Sequence, residues 1–264
     1  MKVISFLAAL LISFPNLQAT QQASAAPASS TQAATLVTQS AAALTGNVVL
    51  SDVTLSGTAR RIAGSDDESG TVTIKVLATG SMRLDFSLPS GPSSEVRTIS
   101  SGVAVGDWSP DGVSHSIASQ NLSTDWGWFP AFTLSSLVSS ANSILTYVSQ
   151  ENRNSHTVQH IRVTQQFPNL KGNTATLLQH LSQVDIYLDA TTLLPVALVY
   201  NAHPDNDAGL DIPVELDFSA YGQVNGLQIP FHVQKYLNNS LYLDLQFQSA
   251  AINTGLAASA FSVQ

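Results

Sequence analysis

Apolar and polar residues alternate along most of the chain after residue 70, and this period of two predicts β-strands with one buried face. The first clear runs cover residues 71–77 and 82–88; a Thr79-Gly80 turn joins them and Pro89 follows the second. Two alternating runs joined by a short glycine turn predict a β-hairpin. Their apolar positions are Val72, Ile74, Val76, Met82, Leu84, Phe86 and Leu88.

The same alternation returns in the second half of the chain. Asn225-Gly226 separates one pair of runs and Asn238-Asn239 the next. Loops this short join antiparallel strands, whereas parallel strands need a long crossover for which the C-terminal part has no room. We therefore predict a mainly β fold with helices (α+β), built on an antiparallel meander. The apolar positions of these runs are Ile186, Leu188, Leu216, Phe218, Leu227, Ile229, Phe231, Val233, Leu241, Leu243, Leu245 and Phe247.

Residues 134–148 break this period, because their apolar positions recur every three or four residues, as on one face of an α-helix of about four turns. Leu137 and Leu145 belong to the apolar face, while the other face carries serine and threonine but no charge. Two interpretations remain open. The helix is either a structural element packed across a curved sheet, or a lid that covers an apolar cavity or meets a lipid surface.

An aromatic segment lies immediately before this predicted helix. Trp126, Trp128, Phe129 and Phe132 fall within seven residues, and Trp108 is the remaining tryptophan. Each aromatic side chain buries a large apolar area. The segment is therefore either a satellite core cluster or the rim of a mouth through which an apolar ligand enters.

The N-terminal residues have the organisation of an export signal. Lys2 gives a positive start, an apolar run covers residues 3–14, and Ala23-Ser24-Ala25 supplies the small residues that signal peptidase requires. The run is too short to span a membrane, which takes about 20 apolar residues. We predict a signal peptide over residues 1–25 and a periplasmic or secreted mature protein.

After the signal, residues 26–34 contain so few large apolar side chains that we predict a flexible leader. A short helix that ends at Gly46 should open a single domain over residues 35–264.

Composition narrows the function classes. The 264 residues carry 10 Lys+Arg against 18 Asp+Glu, a formal net charge of −8, which disfavours binding to nucleic acid. The chain has no cysteine, which excludes disulfides, thiolate metal sites and an acylated N-terminal cysteine. Charged residues make up only 11%, but the 44% hydrophobic content is enough to build a core.

Signatures of catalysis and metal binding are sparse. The sequence has no Gly-x-Ser-x-Gly elbow, His-Glu-x-x-His motif, phosphate loop or dinucleotide fingerprint. His156 and His160 are four residues apart, but their surroundings alternate as a strand, where that spacing is about 13 Å. Residues 205–211 lack the glutamate that a hand-type calcium loop needs. We expect no enzymatic activity, no cofactor and no metal site.

Three C-terminal stretches resemble the LolA-like superfamily of periplasmic lipoprotein and lipid carriers. Residues 214–230 are similar in their order of tyrosine, Asn225-Gly226 and a strand with a proline. Residues 253–261 are similar in running from an asparagine through small residues to a phenylalanine, and residues 187–196 in their hairpin with a proline-led second strand. Together they make residues 184–264 the part of the chain that carries the resemblance.

The resemblance implies a curved antiparallel half-barrel with a helical lid over a cavity for acyl chains. Such carriers use an arginine to hold the lid closed, and Arg83 and Arg97 are the candidates by strand position. Seven residues would line the cavity: Leu84, Phe86, Leu216, Phe218, Phe231, Leu243 and Leu245. Leu137 and Leu145 would belong to the lid, and the mouth would be formed by Trp108, Trp126, Trp128, Phe129 and Phe132.

Three functions are ranked from these observations. The first is an exported, non-enzymatic protein that shelters a hydrophobic small molecule or lipid in an apolar cavity. The second is a structural or protein-interaction module of the cell envelope that has the same fold and a filled core. The third is an enzyme whose catalytic groups are scattered along the sequence.

Overall fold

The structure, a computed structural model, describes residues 28–46, 48–110, 112–122, 124 and 127–263; the predicted signal peptide lies outside these ranges. Within them the helices are α1 (Ala28–Thr45), α2 (Pro130–Ser139) and α3 (Gly172–Leu181), with short 3-10 turns at Ser119–Asn121 and Ala258–Phe261. The strands are β1 (Asp52–Ala63), β2 (Asp66–Leu77), β3 (Met82–Leu88), β4 (Gly91–Ser100), β5 (Val103–Ser109), β6 (His115–Ser116), β7 (Ser143–Arg153), β8 (His156–Gln165), β9 (Val184–Asp189), β10 (Pro195–Ala202), β11 (Ile212–Val224), β12 (Leu227–Leu237) and β13 (Ser240–Ile252).

The described strands form one antiparallel sheet in the order β6-β5-β4-β3-β2-β1-β13-β12-β11-β10-β9-β8-β7. The sheet is curved without closing into a barrel, which confirms the predicted α+β half-barrel. Its hairpins have the predicted turn residues. Asn225 and Gly226 both have positive φ, as do Asn238 and Asn239, and two such residues in succession form the tight turn whose twist matches that of the strands.

One face of the sheet packs against α1, α2 and residues 128–131 in a single core cluster, and we call it the inner face. Leu55, Ile74 and Leu216 are fully buried there. The opposite, outer face carries many of the polar partners of the alternating strands, such as Asp217. The period of two in the sequence therefore separates the side chains that face the helices from those that do not.

Helix α1 begins earlier than predicted. Residues 28–34 belong to it rather than to a flexible leader. Its buried face consists mainly of small side chains, including Ala33, Val37 and Ala41. Alanine is the strongest helix former, and small side chains let the helix lie close to the sheet, so a weakly apolar sequence still docks. The helix is followed by Gly46 at φ +57°, as predicted.

The prediction of one helix over residues 134–148 is wrong. Helix α2 ends at Ser139, and β7 begins at Ser143. Ile144 and Val148 are β-branched and favour a strand, and along β7 partly buried and exposed residues alternate without interruption. The apolar residues 144, 145 and 148 recur at helical spacing, but in the strand Ile144 and Val148 lie on the exposed side and Leu145 on the partly buried side. Spacing alone therefore gave the wrong element. The predicted lid is accordingly a helix of 10 residues, α2, which covers the inner face together with α1.

Candidate functional site

A cavity of about 290 Å³ separates helix α2 from the inner face of the sheet; we call it the lid cavity. Phe132, Thr133 and Ser136 form its helical wall. The facing wall comes from the neighbouring strands β2 to β5 and from Leu122. The strand residues are Val76, Met82, Arg97, Thr98, Ile99, Ala104 and Val105, and residues 78–80 of the turn between β2 and β3 also contribute. Most of this lining is aliphatic or aromatic, as in sites for apolar ligands.

A second, smaller cavity of about 110 Å³ lies further along the same strands; we call it the tryptophan cavity. Met82 and Leu84 are successive inward positions of β3, and Arg97 and Glu95 are the positions opposite them on β4. Met82 and Arg97 line the lid cavity, whereas Leu84 and Glu95 line the tryptophan cavity. The two cavities are therefore consecutive spaces on one face of the sheet.

Arg97 stands between the two cavities and holds the segment that leads to the lid. Its Nε donates to Glu95 Oε1 at 2.7 Å, and its Nη1 donates to the carbonyl oxygen of Asn121 at 2.5 Å. The side chain of Asn121 in turn makes two hydrogen bonds of 2.8 Å with the backbone of His203. Since Arg97 is only 7% exposed, its interactions are strengthened by the low local dielectric.

The other candidate arginine is placed differently. Arg83 points to the outer face, where its Nε donates to Asp85 Oδ1 at 2.7 Å, and both side chains are about one-third exposed. Only Arg97 of the two therefore faces the helical cover.

Two residues that line the tryptophan cavity carry buried hydrogen-bond donors without acceptors among the described residues. Trp128 is 1% exposed, and its Nε1 has no hydrogen-bond partner among the described residues. Arg61 makes an ion pair with Glu68, yet its buried Nε also lacks a partner within the described chain. Lys235, a buried cation, holds its Nζ 5.1 Å from the centre of the Trp128 ring. Buried donors are costly to leave unpaired, and an acceptor in this cavity would reach them after a shift of the lining side chains.

Comparisons with known proteins identify the fold. No family model and no curated protein matches this sequence. Among solved structures, a DUF1329 family protein from Desulfovibrio piger superposes with a TM-score of 0.58 at 10% identity, over 89% of this chain and 99% of that one. A domain named for outer membrane lipoprotein sorting, from Vibrio parahaemolyticus, gives 0.56 at 12% identity, over 88% and 97%. A LolA superfamily protein from Nitrosomonas europaea gives 0.51 at 8% identity, over 87% and 97%.

The chain has a LolA-like fold. This confirms the resemblance found in its C-terminal stretches and extends it over most of the chain. In the described part of this LolA-like chain, no helix is both long and apolar enough to cross a membrane.

The LolA-like fold brings many of the predicted ligand-binding residues to the inner face. Some of them line a cavity there: Leu84, Phe86, Trp108, Trp128 and Leu243 at the tryptophan cavity, and Phe132 at the lid cavity. The others pack in or against the core beside α1 and α2: Phe129, Leu137, Leu145, Leu216, Phe218, Phe231 and Leu245. Trp126 lies outside the described residues. Binding by any of these residues stays a prediction.

Several cavity residues were not predicted. Lys235 continues the alternation of Leu227 to Val233, so it is a charge at an inward position. Arg61 likewise lies opposite Leu243. Charges at inward strand positions were the sequence signal for both. Met82 and Ala104 carried no such signal, because nothing in their type distinguishes a cavity wall from a filled core.

A third cavity, of about 440 Å³, opens towards the outer face beside Ala220, whose φ is +51°. Burial and a hydrogen bond with Glu215 raise the pKa of Asp217 to about 7. Asp217 Oδ1 and Arg153 Nε are buried without hydrogen-bond partners among the described residues. Both charged residues line this outer cavity, with the unpaired atoms themselves buried.

Proposed function

We propose that this chain is an exported, non-enzymatic binding protein that shelters the apolar chain of an amphiphilic lipid in the lid cavity. The observation that carries the proposal is the mostly apolar space of about 290 Å³ between α2 and strands β2 to β5. This space opens to solvent beside the exposed residues Ala78 and Ile99, which gives an apolar chain a way in. Native small-molecule sites begin at roughly 300 Å³. The proposed ligand is therefore one chain of moderate length.

The affinity expected of such a site is modest. Each buried methylene contributes about 0.8 kcal/mol, so about ten of them contribute about 8 kcal/mol. Association costs at least about 4 kcal/mol in lost translational and rotational freedom. The difference of about 4 kcal/mol corresponds to a dissociation constant of about 1 mM or weaker, unless the head group adds contacts.

The tryptophan cavity supplies those contacts in the proposed complex. The unpaired N–H groups of Trp128 and Arg61 favour an acceptor, and the cationic side chain of Lys235 lies beside them. A carboxylate head group would accept from these donors while its chain extends past Arg97 into the lid cavity. Entry then requires the Arg97 contacts with Glu95 and Asn121 to open, which makes Arg97 the residue that controls access.

A fluorescent fatty acid tests the proposal directly. The purified protein is stripped of lipid by organic extraction, refolded, and titrated with 11-(dansylamino)undecanoic acid. We expect saturable binding of one probe per chain, with a blue shift of the dansyl emission and displacement by decanoic acid. Emission that rises linearly without saturation, or that is not reversed by decanoic acid, contradicts the proposal.

The second candidate function is a structural or protein-interaction module with a filled core. The packing of α1, Trp128 and Phe129 against much of the inner face favours it. In that case the stripped protein would bind no apolar probe, and the lid cavity would stay empty in solution.

A further inference from the structure

Two histidines and an aspartate meet at the end of the sheet where α3 and the loop between β10 and β11 come together. His180 lies in the last turn of α3, His203 directly follows β10, and Asp211 directly precedes β11. His180 Nε2 is 2.9 Å from Asp211 Oδ1, and His203 Nδ1 is 3.5 Å from the same oxygen. One ligand atom from each of the three residues lies within 4.8 Å of the other two.

We propose that His180, His203 and Asp211 bind a divalent transition-metal ion, with Zn²⁺ as the best fit. Imidazole nitrogen and carboxylate oxygen are ligands that zinc accepts. With metal–ligand bonds of about 2.0 to 2.2 Å, ligand atoms of a tetrahedral site lie roughly 3.3 Å apart. The distances of 2.9 and 3.5 Å to Asp211 Oδ1 bracket that value. The two histidine nitrogens lie within 4.8 Å of each other, so they must approach by at most about 1.5 Å to complete the geometry.

The loop that carries His203 is held in place by contacts that do not involve the proposed ligand atoms. The side chain of Asn121 bonds both the N–H and the carbonyl of His203 at 2.8 Å. Gln120 Nε2 donates to the carbonyl oxygens of Pro204 and Asp205 at 3.0 and 3.1 Å. His203 is 3% exposed and therefore fixed, whereas His180 and Asp211 are exposed and can adjust around an ion.

The fourth position of the site has a ready oxygen. The carbonyl of Leu210 is 3.1 Å from His203 Nδ1, a separation also close to that of neighbouring zinc ligands. Without an ion, His203 Nδ1 donates to this carbonyl. With the ion bound, His203 takes the tautomer protonated at Nε2, a buried atom without a hydrogen-bond partner among the described residues. Its Nδ1 lone pair, the Leu210 oxygen and the other two ligands then face the metal, or a water takes the fourth place.

The proposed ion would join α3 to the loop between β10 and β11. The proposed site is not the histidine pair considered in the sequence analysis, because His156 and His160 both lie on β8. The inference does not depend on the proposed lipid ligand, because none of its three residues lines the lid or tryptophan cavity.

The test is calorimetric titration of the tag-free mature protein with zinc chloride, beside thermal unfolding in the same metal-free buffer. We expect one Zn²⁺ per chain and a higher unfolding temperature with zinc. The exposed variants H180Q and D211N should each weaken binding at least 30-fold while folding normally. The matched control H115Q, which changes an exposed histidine far from this cluster in sequence, should bind like the wild type.

Co²⁺ provides a second readout. Bound by three protein ligands, it should give an intense visible absorption band that H180Q loses. Absence of stoichiometric zinc binding, or equal binding by the wild type, H180Q and D211N, overturns the proposal. Several weak sites that H115Q reduces as much as H180Q also overturn it, since they indicate adventitious binding to surface histidines.

Discussion

Filling the lid cavity should stabilise the free protein and weaken its binding of an apolar chain. Ala104 on β5 lines that cavity and is only partly buried. Ala104→Leu adds three carbon atoms, which would contribute about 2.4 kcal/mol if fully buried, at about 0.8 kcal/mol each. Partial exposure of this position reduces the expected gain to about 1 kcal/mol. The same atoms occupy the space that the proposed ligand needs, so affinity for the dansyl probe should fall at least tenfold.

Urea unfolding followed by circular dichroism measures the gain, and probe titration measures the loss. Ala251→Leu is the matched control, since Ala251 is an exposed strand residue outside these cavities; it should change stability by no more than about 0.5 kcal/mol and leave binding unchanged. If Ala104→Leu instead destabilises the protein by more than about 1 kcal/mol, as overpacking does, the space is absent in solution. Unchanged probe affinity would place the ligand elsewhere.

Three further changes test the site. Arg97→Met should lower the free energy of unfolding in urea by about 3 to 5 kcal/mol, because it leaves a partly buried Glu95 unpaired. It should also accelerate probe release in stopped-flow experiments. The control Arg83→Met removes an outer ion pair and should lower the free energy of unfolding by about 0 to 1 kcal/mol. Trp128→Phe keeps a ring but removes the unpaired N–H, so affinity for the dansyl acid should fall about threefold to tenfold while affinity for its methyl ester changes less. Asp217→Asn should stabilise the protein increasingly as pH rises from 5 to 8, by about 1 to 2 kcal/mol after allowance for partial exposure.

The sign of the Asp217 effect follows from proton binding. The pKa of this carboxyl is about 7 in the fold and 3.8 by ordinary values, so between these pH values the folded protein holds more protons than the unfolded chain. The Asp217 carboxyl thus stabilises the folded wild type fully below about pH 4, and this stabilisation is lost as pH rises through 7. Asparagine stays neutral throughout. A stability difference between the two proteins that does not change from pH 5 to 8 contradicts this account of Asp217.

The sequence predicts the sheet far better than the helices. Alternation identifies β3, β12 and β13 because their inward residues are large and their outward neighbours polar. Helix α3 was missed because Leu181 is its only fully buried residue, which leaves little apolar periodicity to detect. Residues 144–148 were assigned to a helix because apolar side chains at the outward positions 144 and 148 of β7 hide the alternation and leave helical spacing.

The cavities could not be predicted from pattern at all. Whether Leu84 borders a space and Leu245 does not depends on how side chains from distant segments fill one volume. The meeting of His180 with His203 and Asp211 likewise depends on where α3 packs, because α3 and the loop between β10 and β11 are separated along the chain by two strands. The sequence did contain two kinds of signal for the site: the aromatic segment that includes Trp128 and Phe132, and charges at inward strand positions, as at Lys235.

Native mass spectrometry of the protein purified without detergent tests the central claim most directly. The account predicts a population heavier than the mature chain by the mass of one amphiphile, which organic extraction removes and which the Ala104→Leu protein lacks. A single apo mass before extraction, with no lipid in the extract and no mass shift after incubation with decanoic acid, would contradict it.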